Sequence, residues 1–142
     1  MVDSSDYWIW TLQMASWRYA KALSIPIFDI TAKSGMQEFA PRWEHLMAYK
    51  HGEMGIEEYA RLYNEKLINN LPLTMDKWDS FLQHPSFCIA CYCKPGDFCH
   101  RYLFSNLLVQ YIQQKGKTVS YQGELIPHPS NQEIFERLRH DC

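Results

Sequence analysis

The stretch Ser86–Gln110, SFCIACYCKPGDFCHRYLFSNLLVQ, constrains the fold of this chain more than any other. Phe87–Cys93 is a short, continuous apolar run, the pattern of a strand buried on both faces. KPGD follows with turn chemistry. From Cys99 or His100 to Gln114 the residues Leu103, Leu107, Leu108 and Ile112 recur at helical spacing, and Gly116 caps the helix. Strand, loop and helix in that order mark an α/β junction, where such proteins tend to keep their ligand sites.

The remainder repeats the alternation. Residues 7–14, YWIWTLQM, read as a first strand, and Trp17–Leu23 has helical spacing. Ile25–Thr31 is a β-branched strand that the KSG turn ends. Pro41 suits a first helical turn ahead of Trp43, Leu46, Met47 and Lys50, and Gly52 breaks that helix. A second helix spans about Ile56–Asn70, with Tyr59, Leu62, Tyr63 and Leu67 as its apolar stripe. A third is expected over Thr74–Gln83, with Thr74 as N-cap. Thr118–Leu125 reads as the last strand. The tail is read as a C-terminal extension over 126–142 with a short helix, NQEIFERLRH. The alternation predicts one small α/β domain over residues 1–142: a Rossmann-like, three-layer arrangement with a mostly parallel sheet and helices on both faces. GxGxxG and P-loop patterns do not occur, so a standard dinucleotide or NTP site is not supported.

Composition narrows the function classes. The 142 residues fit one core, with 46% hydrophobic and 15% aromatic residues. A net charge of −2 gives no global attraction to nucleic acid. The acidic start MVDSSDYWIW lacks a signal peptide's basic n-region, and no apolar run approaches a spanning helix, so the expected compartment is the cytoplasm and no membrane partner is expected. The five cysteines then read as thiols, metal ligands or core residues rather than a disulfide framework.

The chemistry concentrates at the junction. Cys88 lies on the strand face opposite Cys91 and reads as a buried core thiol. Cys91, Cys93, Cys99 and His100 form C-x-C-x5-C-H, a set able to hold zinc, although two ligands on one strand and two adjacent ones at a helix start suit a tetrahedron poorly. The other reading is a reactive thiol. Unpaired N–H groups at a helix start lower a cysteine's pKa and attract anions. Cys99 or Cys91 would then supply a thiolate, His100 or Asp29 would move protons, and Arg101 would grip an anion through its fork.

A second constellation is DITAKSG at 29–35, where Asp29 is polar inside an apolar strand and Lys33 and Ser34 occupy the turn. In a parallel sheet this turn and the cysteine loop open on the same edge. One anionic or polar ligand could then meet Asp29, Lys33, Ser34, Cys99, His100 and Arg101 together, and Cys93 is a further ligand-binding candidate. Tyr59 and Tyr63, with Trp43, Tyr49 and Lys50 upstream, add aromatic surface of the kind that stacks bases. Arg18 is a weaker anion candidate. His45, His51, His84, His128 and His140 show no ligand spacing and read as surface residues.

The ordered set DITAKSG (29–35), FAPRW (39–43), EEYARLY (57–63) and CYCKPGDFCHRYLFSNLL resembles domain-of-unknown-function family 488, over roughly Tyr7–Leu125. The resemblance implies a compact α/β domain with a shared site including Asp29, Lys33, Ser34, Cys91, Cys93, Cys99, His100 and Arg101, and it imports no reaction. The expected function is binding of an anionic small molecule, such as a nucleotide or nucleic-acid component, with thiol-dependent transfer or hydrolysis as its catalytic form. A non-catalytic, zinc-stabilised or ligand-sequestering module for a protein or nucleic-acid partner is the rival.

Overall fold

Parallel pairing organises the whole molecule. The computed structural model describes residues 4–93 and 98–126. Within it, strands β1 (Tyr7–Gln13), β2 (Ile27–Asp29), β3 (Ser86–Cys91) and β4 (Val119–Glu124) form one sheet in the order β2-β3-β1-β4. Every pairing is parallel, with Trp8 opposite Ser86, Gln13 opposite Cys91, Ile27 opposite Cys88 and Tyr7 opposite Val119. Parallel neighbours need long crossovers, and helices supply them. They are α1 (Trp17–Ala22), α2 (Trp43–Lys50), α3 (Ile56–Phe81) and α4 (His100–Gln114). The Rossmann-like layered α/β expectation is met, with a sheet that is parallel throughout.

Side-chain alternation divides the core into two layers. Ile9, Phe87 and Ile89 face α3 and α4, where they meet Leu67, Trp78, Phe81, Phe104 and Leu108. Leu12, Cys88 and Ala90 face α1, where they meet Tyr19 and Ala20. Cys88 is a fully buried core thiol, and burial pushes its pKa up to about 12. Phe39 joins the first layer from the approach to α2, its ring against those of Trp78, Phe81 and Phe104. Burying one such ring contributes about 1.5–3 kcal/mol. Tyr63 fixes this approach by donating its hydroxyl to the Phe39 carbonyl at 2.6 Å. Lys66 adds a bond to the Gln37 carbonyl at 3.2 Å and another to the Ala40 carbonyl.

Three expectations change in the structure. First, the two helices expected over 56–70 and 74–83 are one continuous helix, α3, with Pro72 inside it. An interior proline costs about 3 kcal/mol and frees the carbonyl four residues earlier. That carbonyl belongs to Ile68, an exposed residue that water can reach. Burial of Leu67 on one side of Pro72, and of Trp78 and Phe81 on the other, outweighs the break. Thr74 is therefore not an N-cap: its hydroxyl donates to the Asn70 carbonyl at 2.9 Å and accepts from Trp78 Nε1 at 3.2 Å. Second, β2 keeps only Ile27–Asp29 of the expected Ile25–Thr31, because Ile25 N–H bonds back to Ala20 and the Asp29 carboxylate takes Thr31 N–H. Third, β3 ends at Cys91, so Cys93 lies beyond the strand. The KPGD turn and the helix expected within 127–142 lie outside the described residues.

Two positive-φ glycines sit where turns require them. Gly116, at φ +78°, follows α4 and donates to the Gln113 carbonyl. Gly123, at φ +81°, belongs to a β-bulge in β4, which shifts register between Ile9 and Trp10.

Candidate functional site

The C-terminal ends of parallel strands leave a crevice in α/β sheets. Here the ends of β2 and β3 and the start of α4 border a cavity of about 500 Å³. Its floor carries Cys91, Cys93, Cys99 and His100, its walls Tyr49, Tyr59 and Phe98, and its rim Lys33, Trp43, Lys50 and Tyr92. The DITAKSG turn and the cysteine loop therefore open into one space.

The turn is built by its own bonds. Asp29 Oδ1 accepts Thr31 N–H at 2.9 Å, and Oδ2 accepts the Ser34 hydroxyl at 3.2 Å. Thr31 and Ser34 hydroxyls lie 2.8 Å apart, Gly35 N–H reaches the Thr31 carbonyl, and Met36 N–H reaches the Asp29 carbonyl. A Cβ on Gly35 would sit 2.4 Å from Thr31 N and 2.5 Å from Asp29 O, so only glycine fits. Asp29 and Ser34 are spent on closing this turn and do not line the cavity. Thr31 and Lys33 do, with Lys33 Nζ 5.6 Å from the centre of the Trp43 ring. Among the described residues, neither Lys33 nor Lys50 forms an ion pair.

Tyr59 is buried and stacks on Tyr49, ring centres 4.7 Å apart and planes 11° from parallel. Phe98 meets both rings edge-on. Burial, then the neighbouring sulfurs, pushes the Tyr59 phenol well above its ordinary range, so it stays protonated.

The sulfur floor is close-set. Cys91 Sγ lies 3.9 Å from Cys93 Sγ, and the sulfurs of Cys91, Cys93 and Cys99 all fall within 4.8 Å of one another. All three are free thiols, close enough to share one metal ion. His100 is 2% exposed. Its Nε2–H donates to the Ile30 carbonyl at 2.6 Å, leaving Nδ1 to face Cys99 Sγ at 3.8 Å and Cys91 Sγ at 4.0 Å. Burial lowers the imidazole pKa against the pull of that carbonyl, so the ring is neutral. S–H donation from Cys91 and Cys99 holds Cys93 well below the ordinary thiol range, with Lys50 adding to the effect. Cys91 and Cys99 rise correspondingly, through the protons they share with the cluster. The three thiols thus titrate as one coupled set that shares its negative charge, and Cys93 is its half-buried member.

Arg101 does not line this cavity. It is 0% exposed and reaches β4 through Glu124. Nε donates to Glu124 Oε1 at 3.2 Å, Nη1 to the Cys93 carbonyl at 3.0 Å, and Nη2 to the Tyr102 hydroxyl at 2.8 Å. Glu124 also accepts the Thr11 hydroxyl at 2.7 Å and Gln13 N–H at 2.8 Å. The fork expected to grip an anion instead braces the chain at Cys93 from behind. Glu124, which completes this brace, was not a candidate from the sequence. The signal for it is Gly123: an isolated glycine inside a strand pattern marks a bulge, and this bulge sets Glu124 opposite Thr11. Of the other candidates, Arg18 is exposed and lies over the Trp17 ring at 5.2 Å. His51 is exposed, and His45 and His84 are half-buried.

A wholly parallel α/β sheet with a sulfur-floored crevice at its C-terminal edge defines the class of this protein. Residues 7–112 match the family described as the active DUF488-N3 subclade (DUF488-N3a), and the chain belongs to the DUF488 family. Comparison with curated proteins and with solved structures gives no match. No helix among the described residues is long and apolar enough to cross a membrane.

Proposed function

We propose that this domain binds a planar, anionic small molecule of the nucleotide class and presents it to the Cys/His floor. One observation carries the reading: a cavity of about 500 Å³ combines aromatic walls, two rim lysines that form no ion pair among the described residues, and a floor of sulfur and imidazole. That volume falls in the range typical of small-molecule sites. Trp43, 47% exposed, and Tyr92, 62% exposed, offer ring faces to a base at the rim. Lys33 and Lys50 supply the positive charge that the net charge of the chain does not. Cys93 is the floor thiol that a bound ligand meets, and His100 and Tyr59 flank it as fixed polar groups.

Calorimetric titration of the full chain with a panel of mono-, di- and triphosphate nucleotides tests this. Saturable binding is expected, weakened at least tenfold by Lys33→Ala combined with Lys50→Ala, with folding unchanged by circular dichroism. Equal affinity in that variant, or no saturable binding across the panel, would overturn the reading in favour of a module for a macromolecular partner. Product analysis of the same mixtures distinguishes turnover from sequestration.

A further inference from the structure

We propose that Cys91, Cys93, Cys99 and Nδ1 of His100 are the four ligands of a single thiophilic divalent ion, zinc in class, set in the floor of the cavity. This deepens the reading above, because it names what the floor holds and rests on the same cavity.

The spacing carries the first part of the argument. Zinc binds thiolate at about 2.3 Å and imidazole nitrogen at about 2.0–2.1 Å, so a regular tetrahedron has edges of about 3.8 Å between sulfurs and about 3.6 Å from sulfur to nitrogen. The Cys91–Cys93 sulfur separation is 3.9 Å, and His100 Nδ1 lies 3.8 Å from Cys99 Sγ and 4.0 Å from Cys91 Sγ. Those three of the six edges exceed the ideal by a few tenths of an ångström, and the remaining sulfur–sulfur edges lie within 4.8 Å. The sequence pattern suggested a poor tetrahedron, with two ligands on one strand. The structure removes that objection by ending β3 at Cys91, so that Cys93 belongs to the loop.

The second part is independent of the sulfurs. His100 is buried, and its Nε2–H is committed to the Ile30 carbonyl at 2.6 Å. A backbone carbonyl on the far nitrogen is the usual orienting partner of a metal-bound histidine, since it fixes the tautomer and aims the other lone pair at the ion. Here that lone pair points at the cluster. S–H groups are weak donors and thiol sulfur a weak acceptor, so the buried sulfurs give one another little in return for their desolvation. A divalent ion satisfies all four groups at once.

Binding releases the cysteine protons to solvent and leaves His100 neutral. Three thiolates and one dication carry a net single negative charge, and Lys50 stands on the same cavity. Arg101, through the Cys93 carbonyl, holds one ligand's backbone in place from behind. Four protein ligands make a closed site that ties the end of β3 to the start of α4.

The test uses zinc or cobalt alone, with no nucleotide present. Metal content of the reduced full chain is measured after purification and after zinc reconstitution, and cobalt(II) is then exchanged in. One equivalent per chain is expected, with sulfur-to-cobalt charge transfer and the intense visible bands of a tetrahedral site. Cys93→Ser should weaken zinc more than tenfold in competition with a chromophoric chelator, whereas Cys88→Ala, on the opposite strand face, should leave it unchanged. A folded chain that shows no sulfur-to-cobalt band overturns the proposal, and this reading needs no variant to fold. Zinc retained equally when Cys91, Cys93 and Cys99 are all serine also overturns it, as surface binding. Nucleotide titration is a separate measurement, so loss of one reading does not hide loss of the other.

Discussion

His100 and Arg101 are neighbours in the first turn of α4, yet they serve opposite sides of it. His100 turns toward an open cavity floored by weakly bonded sulfurs. Arg101 turns into a packed brace where its donors meet Glu124, the Cys93 carbonyl and Tyr102. One side is under-bonded and faces space; the other is saturated and faces protein. The contrast teaches that positive charge beside a helix start is not by itself an anion site. What decides is whether the fork already has acceptors, and here Glu124 and a carbonyl were built to meet it.

Breaking the brace should give the largest effect. Arg101→Met strands the Glu124 carboxylate, whose side chain is only 14% exposed, without its cation. Loss of one partner of a buried pair costs about 3–5 kcal/mol, so the urea midpoint should fall steeply. Arg101→Met with Glu124→Leu should recover much of that loss, and Arg101→Lys should not, because one ammonium cannot span three separated acceptors. If Arg101→Met costs nothing, the guanidinium is free for a ligand and the contrast between the two sides disappears.

Gly35→Ala probes the cavity side. An added Cβ meets backbone at Thr31 and Asp29, which cannot swing away as a side-chain tip could. Overpacking of this kind costs about 1–3 kcal/mol. Thermal denaturation should register it, and the displaced turn should lower nucleotide affinity by moving Lys33. Unchanged affinity would show that the rim does not depend on the turn.

A hydrogen bond between α4 and the end of α3 sets the small end of the scale. Tyr111 donates to Asp79 Oδ1 at 2.5 Å, and Lys115 lies 3.1 Å from the same oxygen. These bonds, that of Tyr111 foremost, hold the Asp79 carboxyl below its ordinary range. A depressed carboxylate pKa stabilises the fold above the unfolded value and ceases to do so as pH falls through the folded one. Tyr111→Phe should therefore cost under about 1 kcal/mol at pH 7, because the Asp79 carboxylate that accepts the bond is itself exposed to water. The difference from the parent should shrink below about pH 4, where Asp79 protonates in the unfolded chain. A constant difference down to pH 2 would assign the effect to packing instead.

The comparison also shows where the sequence was informative. Apolar runs and helical stripes placed the parallel sheet and α4, because burial pattern is local and periodic. The break expected between Asn70 and Thr74 is absent for an equally physical reason: the cost of the interior Pro72 is local, whereas the compensation comes from Trp78 and Phe81 packing across the core. Of the candidate residues, Lys33, Tyr59, Cys91, Cys93, Cys99 and His100 line the cavity, whereas Asp29, Ser34 and Arg101 are held by bonds within the protein. Residue chemistry alone could not separate these groups, since each is polar and stands at the same sheet edge.

By itself, then, the sequence determined that strands and helices alternate, that sulfur and imidazole cluster where β3 passes into α4, and that Cys88 belongs to the core, because these follow from spacing along the chain. Only the tertiary structure decided which way each polar group turns. A one-residue bulge at Gly123 sets Glu124 opposite Thr11 and within reach of Arg101, and the early end of β3 brings Cys93 back to Cys91. Orientation of that kind depends on register between strands far apart in the chain, and no local pattern encodes it.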